Sequence, residues 1–309
     1  MARVVVLGAA GFLGSHLCDA LIGRGDSVIG VDDFSSGRKR NIQHLIGEPA
    51  FTFFEQNIVN VIEISGEIDA VLNFASPASP DRYREMPLHT LRTGSAGTEN
   101  ALQLARREDA RFIMASTSEV YGEPLEHPQQ ESYWGNVNPI GERSCYDEAK
   151  RYSEALCMAY KRMHSTDIGI ARIFNTYGPR LSSGDGRVVS NFITQALSGK
   201  PLTIYGNGQQ TRSFCFVDDL VSGVIALMDS TEVGPINLGS TEECSMLQLA
   251  EIIIEMTNSE SILDFKPKPL DDPTQRQPNI SLAKTLLGWE PTVSLRNGLE
   301  KTIRYFRTT

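Results

Sequence analysis

Along the first 172 residues, short apolar runs rich in β-branched residues alternate with longer amphipathic segments. The short runs predict six strands, at residues 4–7, 27–31, 51–54, 70–73, 111–115 and 167–172. Between them, apolar residues recur at helical spacing in 13–24, 88–107 and 146–163, and each segment ends in basic residues that suit a helix C-terminus. Strands that alternate with helices in this way predict an α/β fold with a doubly wound parallel sheet.

The pattern loosens after Asn175, where glycine-rich and serine-rich stretches at 178–179, 182–186 and 206–208 indicate loops. Helical spacing returns at 189–197, 218–228, 246–256 and 295–306. We therefore expect two domains, a larger one over 1–172 and a smaller mixed α/β one over 173–309, with an approximate and interleaved boundary. The Pro-rich stretch 266–273 predicts a loop that crosses back over a site between the domains.

The composition of the chain limits which binding partners and metal sites are expected. The chain of 309 residues carries 29 Lys and Arg against 38 Asp and Glu, a net charge of −9, which argues against binding nucleic acid or anionic lipid. No apolar run has the length of a membrane span. The 5 cysteines are an odd number without a CxxC pair, and the 5 histidines lack ligand spacing, so we expect a cytoplasmic protein with reduced thiols and no metal.

Three glycines follow the first predicted strand. Gly8, Gly11 and Gly14 form a GxxGxxG turn ahead of the first helix, where backbone N–H groups can approach a dinucleotide pyrophosphate. By themselves, three glycines at this spacing are also compatible with a tight turn that binds no cofactor. Asp32 ends the second strand, where a carboxylate accepts hydrogen bonds from the ribose 2′-hydroxyl and repels a 2′-phosphate, so NAD is favoured. The basic run 38–40 keeps NADP as an alternative.

Tyr146 and Lys150 are four residues apart, on one face of a predicted helix. A lysine ammonium close to a tyrosine is expected to lower the pKa of the phenol, so that the phenolate can take a proton from a substrate hydroxyl. Thr117 lies near the carboxyl end of the fifth strand, where sheets of this kind place their chemistry. A YxxxK pair by itself is common by chance, and the glycine turn is what favours a catalytic pair.

Longer motifs strengthen this interpretation. They are residues 75–80 (ASPASP), 115–122 (ASTSEVYG), 133–141 (YWGNVNPIG), 171–180 (ARIFNTYGPR) and 185–192 (DGRVVSNF). Through them the chain resembles the extended short-chain dehydrogenase/reductase family over residues 8–306, and within it the members that decarboxylate UDP-glucuronate. The resemblance implies a Rossmann fold, an NAD-dependent carboxy-lyase and a homodimer formed through helices 88–107 and 146–163.

The resemblance also implies the reaction. Tyr146 removes the proton of the C4 hydroxyl while hydride passes to NAD, the 4-keto acid loses CO2, and the returned hydride gives UDP-xylose. Thr117 and Tyr146 stabilise the enolate, and Lys150 tunes the phenol and holds the nicotinamide ribose.

Three further residues complete the catalytic set that the resemblance implies. Ser118 stands where dehydratases of the family carry an aspartate, which disfavours expulsion of water. Glu119 orients the sugar or a water, and Arg276 lies near the sugar carboxylate.

The resemblance assigns binding roles to larger sets. For NAD these are Gly8, Gly11, Phe12, Leu13, Gly14, Asp32, Asp33, Ser36, Gly37, Asn57, Ile58, Phe74, Ser76, Thr93, Tyr146, Lys150, Thr176 and Arg187. For the UDP-sugar they are Arg92, Asn100, Asn175, Val189, Asn191, Tyr205, Arg212 and Arg276.

Two departures leave alternatives open. Asn57 replaces a family aspartate, and segment 61–68 lacks a Leu-Tyr pair that contacts the sugar in the family. A different uronic acid nucleotide, a UDP-glucuronate 4-epimerase or a related epimerase/dehydratase therefore stays open. A catalytically silent NAD-binding scaffold or sensor is the alternative from another class, and the intact Tyr146, Lys150 and Thr117 argue against it.

Overall fold

In a computed structural model, residues 1–184, 186–267 and 275–308 are described. The first half contains, in order, β1 (Arg3–Leu7), α1 (Phe12–Gly23), β2 (Ser27–Asp32), β3 (Phe51–Glu55), β4 (Ala70–Asn73), α2 (Pro80–Glu85), α3 (Pro87–Arg92), α4 (Thr98–Arg107), β5 (Arg111–Thr117), α5 (Ser144–His164) and β6 (Ile168–Ile173). A π-helical turn at Thr93–Gly97 joins α3 to α4, and a 3₁₀ turn at Ser118–Tyr121 follows β5. The six predicted strands are confirmed, and so are the helices predicted at 13–24 and 146–163. The helix predicted at 88–107 is instead divided into α3 and α4 by the π-helical turn.

The second half mixes helices with short strands. It contains β7 (Thr176–Tyr177), α6 (Val188–Leu197), β8 (Leu202–Tyr205), β9 (Thr211–Ser213), β10 (Cys215–Phe216), α7 (Val217–Asp229), β11 (Ile236–Leu238), β12 (Glu243–Ser245), α8 (Met246–Thr257), β13 (Leu263–Lys266), β14 (Gln275–Arg276), α9 (Ser281–Leu287) and α10 (Leu295–Thr308). The four helices expected there are present. Most of the predicted Pro-rich loop lies outside the described residues.

Within the described residues, seven parallel strands form the central sheet in the order β11-β6-β5-β4-β1-β2-β3. Both faces are covered, because Val4 and Val6 of β1 point into one apolar cluster and Val5 and Leu7 into the other. This is the doubly wound Rossmann arrangement expected from the sequence. The strand order reverses between β4 and β1, the place where such sheets bind ligands.

The chain crosses between its two halves more than once. β11 extends the central sheet beside β6, with Ile236 opposite Ala171, and α7 packs against α1. In a small separate sheet β14 runs parallel to β9, with Arg276 opposite Arg212. These crossings place residues from the end of the chain beside the carboxyl ends of the central strands. None of the helices in the described ranges is long and apolar enough to span a membrane.

Candidate active site

A cavity of about 620 Å³ opens at the carboxyl ends of the central strands, within the size range of ligand sites. Most of the predicted residues line it: Gly8, Gly11, Phe12, Leu13, Gly14, Ser36, Phe74, Ser76, Thr117, Ser118, Glu119, Tyr146, Lys150, Asn175, Thr176, Arg187, Val189, Asn191, Tyr205, Arg212 and Arg276. A smaller cavity shares Gly8 and Gly11 with it and adds Asp32, Asp33, Asn57, Ile58 and Thr93.

Three predicted residues lie elsewhere. Gly37 packs against Asp32, since a Cβ at this glycine would lie 2.7 Å from the Asp32 Oδ1. Arg92 is exposed on α3. Asn100 points its amide at the chain after β3, donating to the carbonyl oxygens of residues 58, 59 and 60 at 3.0, 2.8 and 3.1 Å.

The glycine turn has the shape that a dinucleotide requires. Gly8 adopts a φ of +82°, and a Cβ there would lie 2.7 Å from the carbonyl carbon of Phe74. A Cβ on Gly14 would lie 2.0 Å from the carbonyl oxygen of Gly8, so the helix can approach the strand only with glycine at this position. α1 begins without a side-chain cap, and its first residues line the cavity. The N-terminus of α1 therefore fits a pyrophosphate.

Asp32, the last residue of β2, lines the smaller cavity beside the glycine turn. Its carboxylate accepts the backbone N–H of Ala10 at 2.9 Å and that of Phe34 at 2.8 Å. Burial raises the pKa of Asp32 to about 6, although these hydrogen bonds favour the ionised form. Nearby, Asn41 is part of the lining of the main cavity, and its buried Oδ1 has no hydrogen-bond partner among the described residues. The acceptors that the hydroxyls of a dinucleotide need are thus present.

Tyr146 lies in the first turn of α5, buried against the end of β5. The Thr117 side chain lies on the phenol side of Tyr146, where it lowers the pKa of the phenol and so favours the phenolate. Lys150 Nζ donates to the carbonyl oxygen of Ala115 at 2.8 Å and lies 5.8 Å from the centre of the Tyr146 ring.

The pKa of Tyr146 differs from the sequence-based expectation. Burial, followed by the negative charge of Glu119, raises it to about 12, and Thr117 opposes the shift. Burial also lowers the pKa of Lys150 to about 8. In this structure desolvation outweighs the predicted effect of the lysine on the phenol.

Glu119 forms the charged centre of the cavity. Its carboxylate accepts two hydrogen bonds from Arg276, at 2.6 and 2.8 Å, and one from Arg143 at 2.5 Å. Although burial opposes ionisation, the two guanidinium groups lower the pKa of Glu119 to about 2. The cluster of Arg143, Glu119 and Arg276, called the arginine cluster below, carries a net charge of +1 and offers guanidinium groups to a ligand anion.

Among the cavity residues that the sequence did not predict, two contact predicted catalytic residues: Arg143 pairs with Glu119, and Tyr83 stacks on Tyr146. Arg143 lies three residues before Tyr146, on the same face of the helix, a spacing that could have identified it. Tyr83 of α2 stacks on Tyr146 with ring centres 5.2 Å apart and an interplanar angle of 8°, and its buried hydroxyl has no partner among the described residues. No sequence signal pointed to Tyr83, because a loop brings α2 to the site.

The half of the cavity assigned to the nucleotide is polar. The Nδ2 of Asn175 is buried without a hydrogen-bond partner in the described part of the chain, so it can donate to a ligand. Arg187 is the residue immediately before α6, and Arg212 lies on β9 beside Arg276. No group of three or more metal-ligating side chains occurs among the described residues.

Comparisons with known proteins agree with this geometry. A model of the NAD dependent epimerase/dehydratase family matches residues 4–239. UDP-glucuronic acid decarboxylase 1 of Arabidopsis thaliana is 54% identical over 99% of this chain and 70% of its own length. UDP-glucuronic acid decarboxylase 1 of Xenopus tropicalis is 51% identical over 99% of this chain and 72% of its own length.

A solved structure of UDP-glucuronic acid 4-epimerase from Bacillus cereus, in complex with UDP-glucuronic acid and NAD, superimposes with a TM-score of 0.88. It is 31% identical, and the match covers 99% of each chain. The fold is therefore shared with an epimerase, whereas the sequence is more similar to the decarboxylases.

Proposed function

Because the chain belongs to the NAD dependent epimerase/dehydratase family, we propose that it decarboxylates UDP-glucuronic acid to UDP-xylose with NAD as a cofactor. One observation carries the choice of substrate. The arginine cluster lies in the same cavity as Tyr146 and Thr117, so a sugar whose C4 hydroxyl meets Tyr146 has two guanidinium groups available for a carboxylate. A neutral hexose gains nothing from that charge.

The residues that would hold NAD are the glycine turn, Asp32, Asn41 and Lys150. When bound, NAD⁺ supplies a positively charged ring that takes up hydride from C4, returns it at the end, and by its charge favours an ionised phenol. Asp32 accepts ribose hydroxyls, and its negative charge disfavours a 2′-phosphate. This supports NAD over NADP.

Tyr146 and Thr117 handle the oxygen at C4. The Tyr146 phenolate, which Thr117 stabilises by donating to it, takes the proton of the C4 hydroxyl and becomes the neutral phenol. Once C4 is a ketone, it lies β to the carboxylate and draws the electrons of the breaking C5–C6 bond, so CO2 leaves. The protonated Tyr146 and Thr117 then act as donors to the enolate oxygen.

The arginine cluster binds the carboxylate before CO2 leaves. Arg276 and Arg143 can turn from Glu119 to the substrate, because the cluster retains a net positive charge. When the C5–C6 bond breaks, neutral CO2 leaves and the negative charge of the carboxylate moves to the enolate oxygen at C4, so Glu119 regains both arginines. Ser118 provides no acid for a leaving hydroxyl, so dehydration is disfavoured.

The second candidate is 4-epimerisation of the same substrate. It is favoured by the superposition on the Bacillus cereus epimerase, and it needs the same Tyr146 and Lys150. The two outcomes differ in whether CO2 is lost while C4 is a ketone.

The test is to incubate the purified protein with UDP-glucuronic acid and NAD, and to follow CO2 release and the sugar nucleotide by proton NMR. We expect UDP-xylose and one CO2 for each substrate consumed. UDP-galacturonic acid without CO2 would show the epimerase instead, and no conversion would contradict both.

A homodimer formed through α3 and α5 is part of the proposal. The two helices pack on each other, and Leu88, Tyr152 and Met163 on them remain 68%, 48% and 77% exposed. Apolar side chains so exposed on neighbouring helices suit a contact with a second copy. Light scattering during gel filtration should give twice the mass of the chain, and a monomer would refute it.

A further inference from the structure

Glu154 continues the catalytic face of α5. It lies four residues after Lys150 and eight after Tyr146, so all three share one side of the helix. Glu154 is behind Lys150, outside the cavity lining, and the reaction described above does not use it.

Two successive residues of β5 form hydrogen bonds with side chains of this helix. Lys150 Nζ donates to the carbonyl oxygen of Ala115 at 2.8 Å. One residue later, Ser116 Oγ donates to Glu154 Oε1 at 2.5 Å. The next residue is Thr117, whose side chain lowers the pKa of the Tyr146 phenol. The position of Thr117 relative to α5 thus depends on the contacts of its two predecessors.

Arg172 of β6 holds the Glu154 carboxylate from the other side. Its Nε donates to Glu154 Oε1 at 2.9 Å and its Nη2 to Oε2 at 2.8 Å, and the two side chains are only 11% and 15% exposed. Arg172 is also paired with Ser116 in the β5–β6 register. A buried bidentate ion pair of this kind restricts the relative positions of its two side chains more than a single neutral hydrogen bond does.

The same guanidinium reaches the other side of the catalytic segment. Arg172 Nη1 donates to the Tyr121 hydroxyl at 3.0 Å, and the Arg172 Cζ lies 4.9 Å from the centre of the Tyr121 ring. The Tyr121 hydroxyl in turn donates to Asn237 Oδ1 at 2.7 Å. Tyr121 ends the 3₁₀ turn that carries Ser118 and Glu119. The Glu154–Arg172 ion pair therefore contacts the chain on both sides of residues 117–119, at Ser116 before them and at Tyr121 after them.

We propose that Glu154 and Arg172 are positioning residues: their buried ion pair sets the distance and angle between the Thr117 hydroxyl and the Tyr146 phenol. The effect of this ion pair on turnover rests on the proposed function, because it concerns the C4 oxygen of the substrate. Its effect on the position of Thr117 relative to Tyr146 can be measured without turnover.

The variant to test is Glu154→Gln, which keeps the shape of the side chain but removes its charge and one acceptor for Arg172. We expect kcat to fall about 10- to 100-fold, since misplacement of a reacting group by about 1 Å costs that much. The KM for UDP-glucuronic acid should stay close to that of the parent, because Glu154 lies outside the cavity lining.

A second readout is independent of turnover. In protein labelled with 3-fluorotyrosine, the 19F signal that disappears in Tyr146→Phe belongs to Tyr146, and its titration reports the pKa of the phenol. Because Thr117 lowers that pKa by its hydrogen bond, we expect a higher value in Glu154→Gln. The other charged or titratable groups that face the phenol are unchanged in this variant: Glu119 after β5, Arg187 before α6, Asp147 and Lys150 on α5, and Tyr83 on α2.

Asp167→Asn is the matched control. Asp167 precedes β6 and pairs with buried Arg111 of β5 at 2.5 Å, at the ends of these strands that lie away from the site. It should change stability without changing kcat or the titration of Tyr146. If Glu154→Gln folds poorly, Tyr121→Phe, which removes one link of the network, should raise the pKa of Tyr146 in the same direction by less.

The outcomes separate the two proposals. A parent enzyme that releases no CO2 contradicts the proposed function, and the 19F titration then decides the inference alone. A parent enzyme that is active while Glu154→Gln matches Asp167→Asn in kcat and in the titration refutes the inference and leaves the function standing.

Discussion

Replacing Glu119 by glutamine removes the only negative charge of the arginine cluster and leaves Arg143 and Arg276 facing each other. The two arginines lower the pKa of Glu119 from 4.5 to about 2. At about 1.4 kcal/mol per pH unit, this shift corresponds to roughly 3 kcal/mol of folding free energy at pH 7. Breaking a buried ion pair by removing one partner typically costs about 3–5 kcal/mol, which agrees.

Urea unfolding measures this loss. A carboxyl group with a lowered pKa stabilises the protein fully above its unfolded pKa, and the contribution is lost as the pH falls through its folded pKa. We therefore expect Glu119→Gln to be less stable than the parent by about 3 kcal/mol at pH 7, and the difference to shrink as the pH falls from 4.5 towards 2. Glu255→Gln is the control, because its pair with Arg296 is exposed and should contribute little.

Ligand addition makes the test specific. The carboxylate of UDP-glucuronic acid supplies the charge that glutamine lacks, whereas UDP-glucose does not. The extra stabilisation by UDP-glucuronic acid over UDP-glucose should therefore be larger in Glu119→Gln than in the parent. Equal urea midpoints for variant and parent at pH 7, or equal effects of the two nucleotides on the variant, would refute the charge compensation argued here.

Three further predictions concern the cofactor and the base. Tyr146→Phe should lower kcat by a factor of about 10²–10⁴, the usual contribution of a general base, while equilibrium dialysis shows that the variant still binds NAD; substantial residual turnover would show that Tyr146 is not the base. NAD affinity should weaken about tenfold for each pH unit below the pKa of Asp32, which is about 6, because only the ionised carboxylate accepts both ribose hydroxyls, and Asp32→Asn should abolish this dependence in calorimetric titrations. Gly14→Ala should cost about 1–3 kcal/mol of stability and weaken NAD binding, since its Cβ would lie 2.0 Å from the Gly8 oxygen; a variant that binds NAD normally and melts with the parent would contradict the close approach of helix and strand.

The sequence predicted the central sheet well because most of its strands are buried on both faces. In β5 all seven residues, Arg111–Thr117, are buried, and such strands read as short apolar runs between amphipathic helices. Short elements carry no such signal. β11 is three residues long and α9 seven, so neither shows a period that a sequence window can detect.

The sequence located the candidate residues of local motifs, but not the contacts between residues that are distant along the chain. Gly8, Gly11, Gly14, Tyr146 and Lys150 belong to local motifs with fixed spacing, and all five line the cavity. Arg276, which the resemblance assigned to the sugar carboxylate, also lines the cavity, but no local spacing could predict its pairing with Glu119, 157 positions away along the chain.

Local spacing in the sequence thus determined the fold class, the glycine turn and the presence of a tyrosine and lysine on one helix face. The tertiary structure decided which charges meet: Glu119 with Arg143 and Arg276, and Glu154 with Arg172 and Ser116. It also decided that burial raises the pKa of Tyr146. The physical reason is that periodicity depends on neighbours along the chain, whereas ion pairs and desolvation depend on crossings of the chain that bring distant residues together away from water.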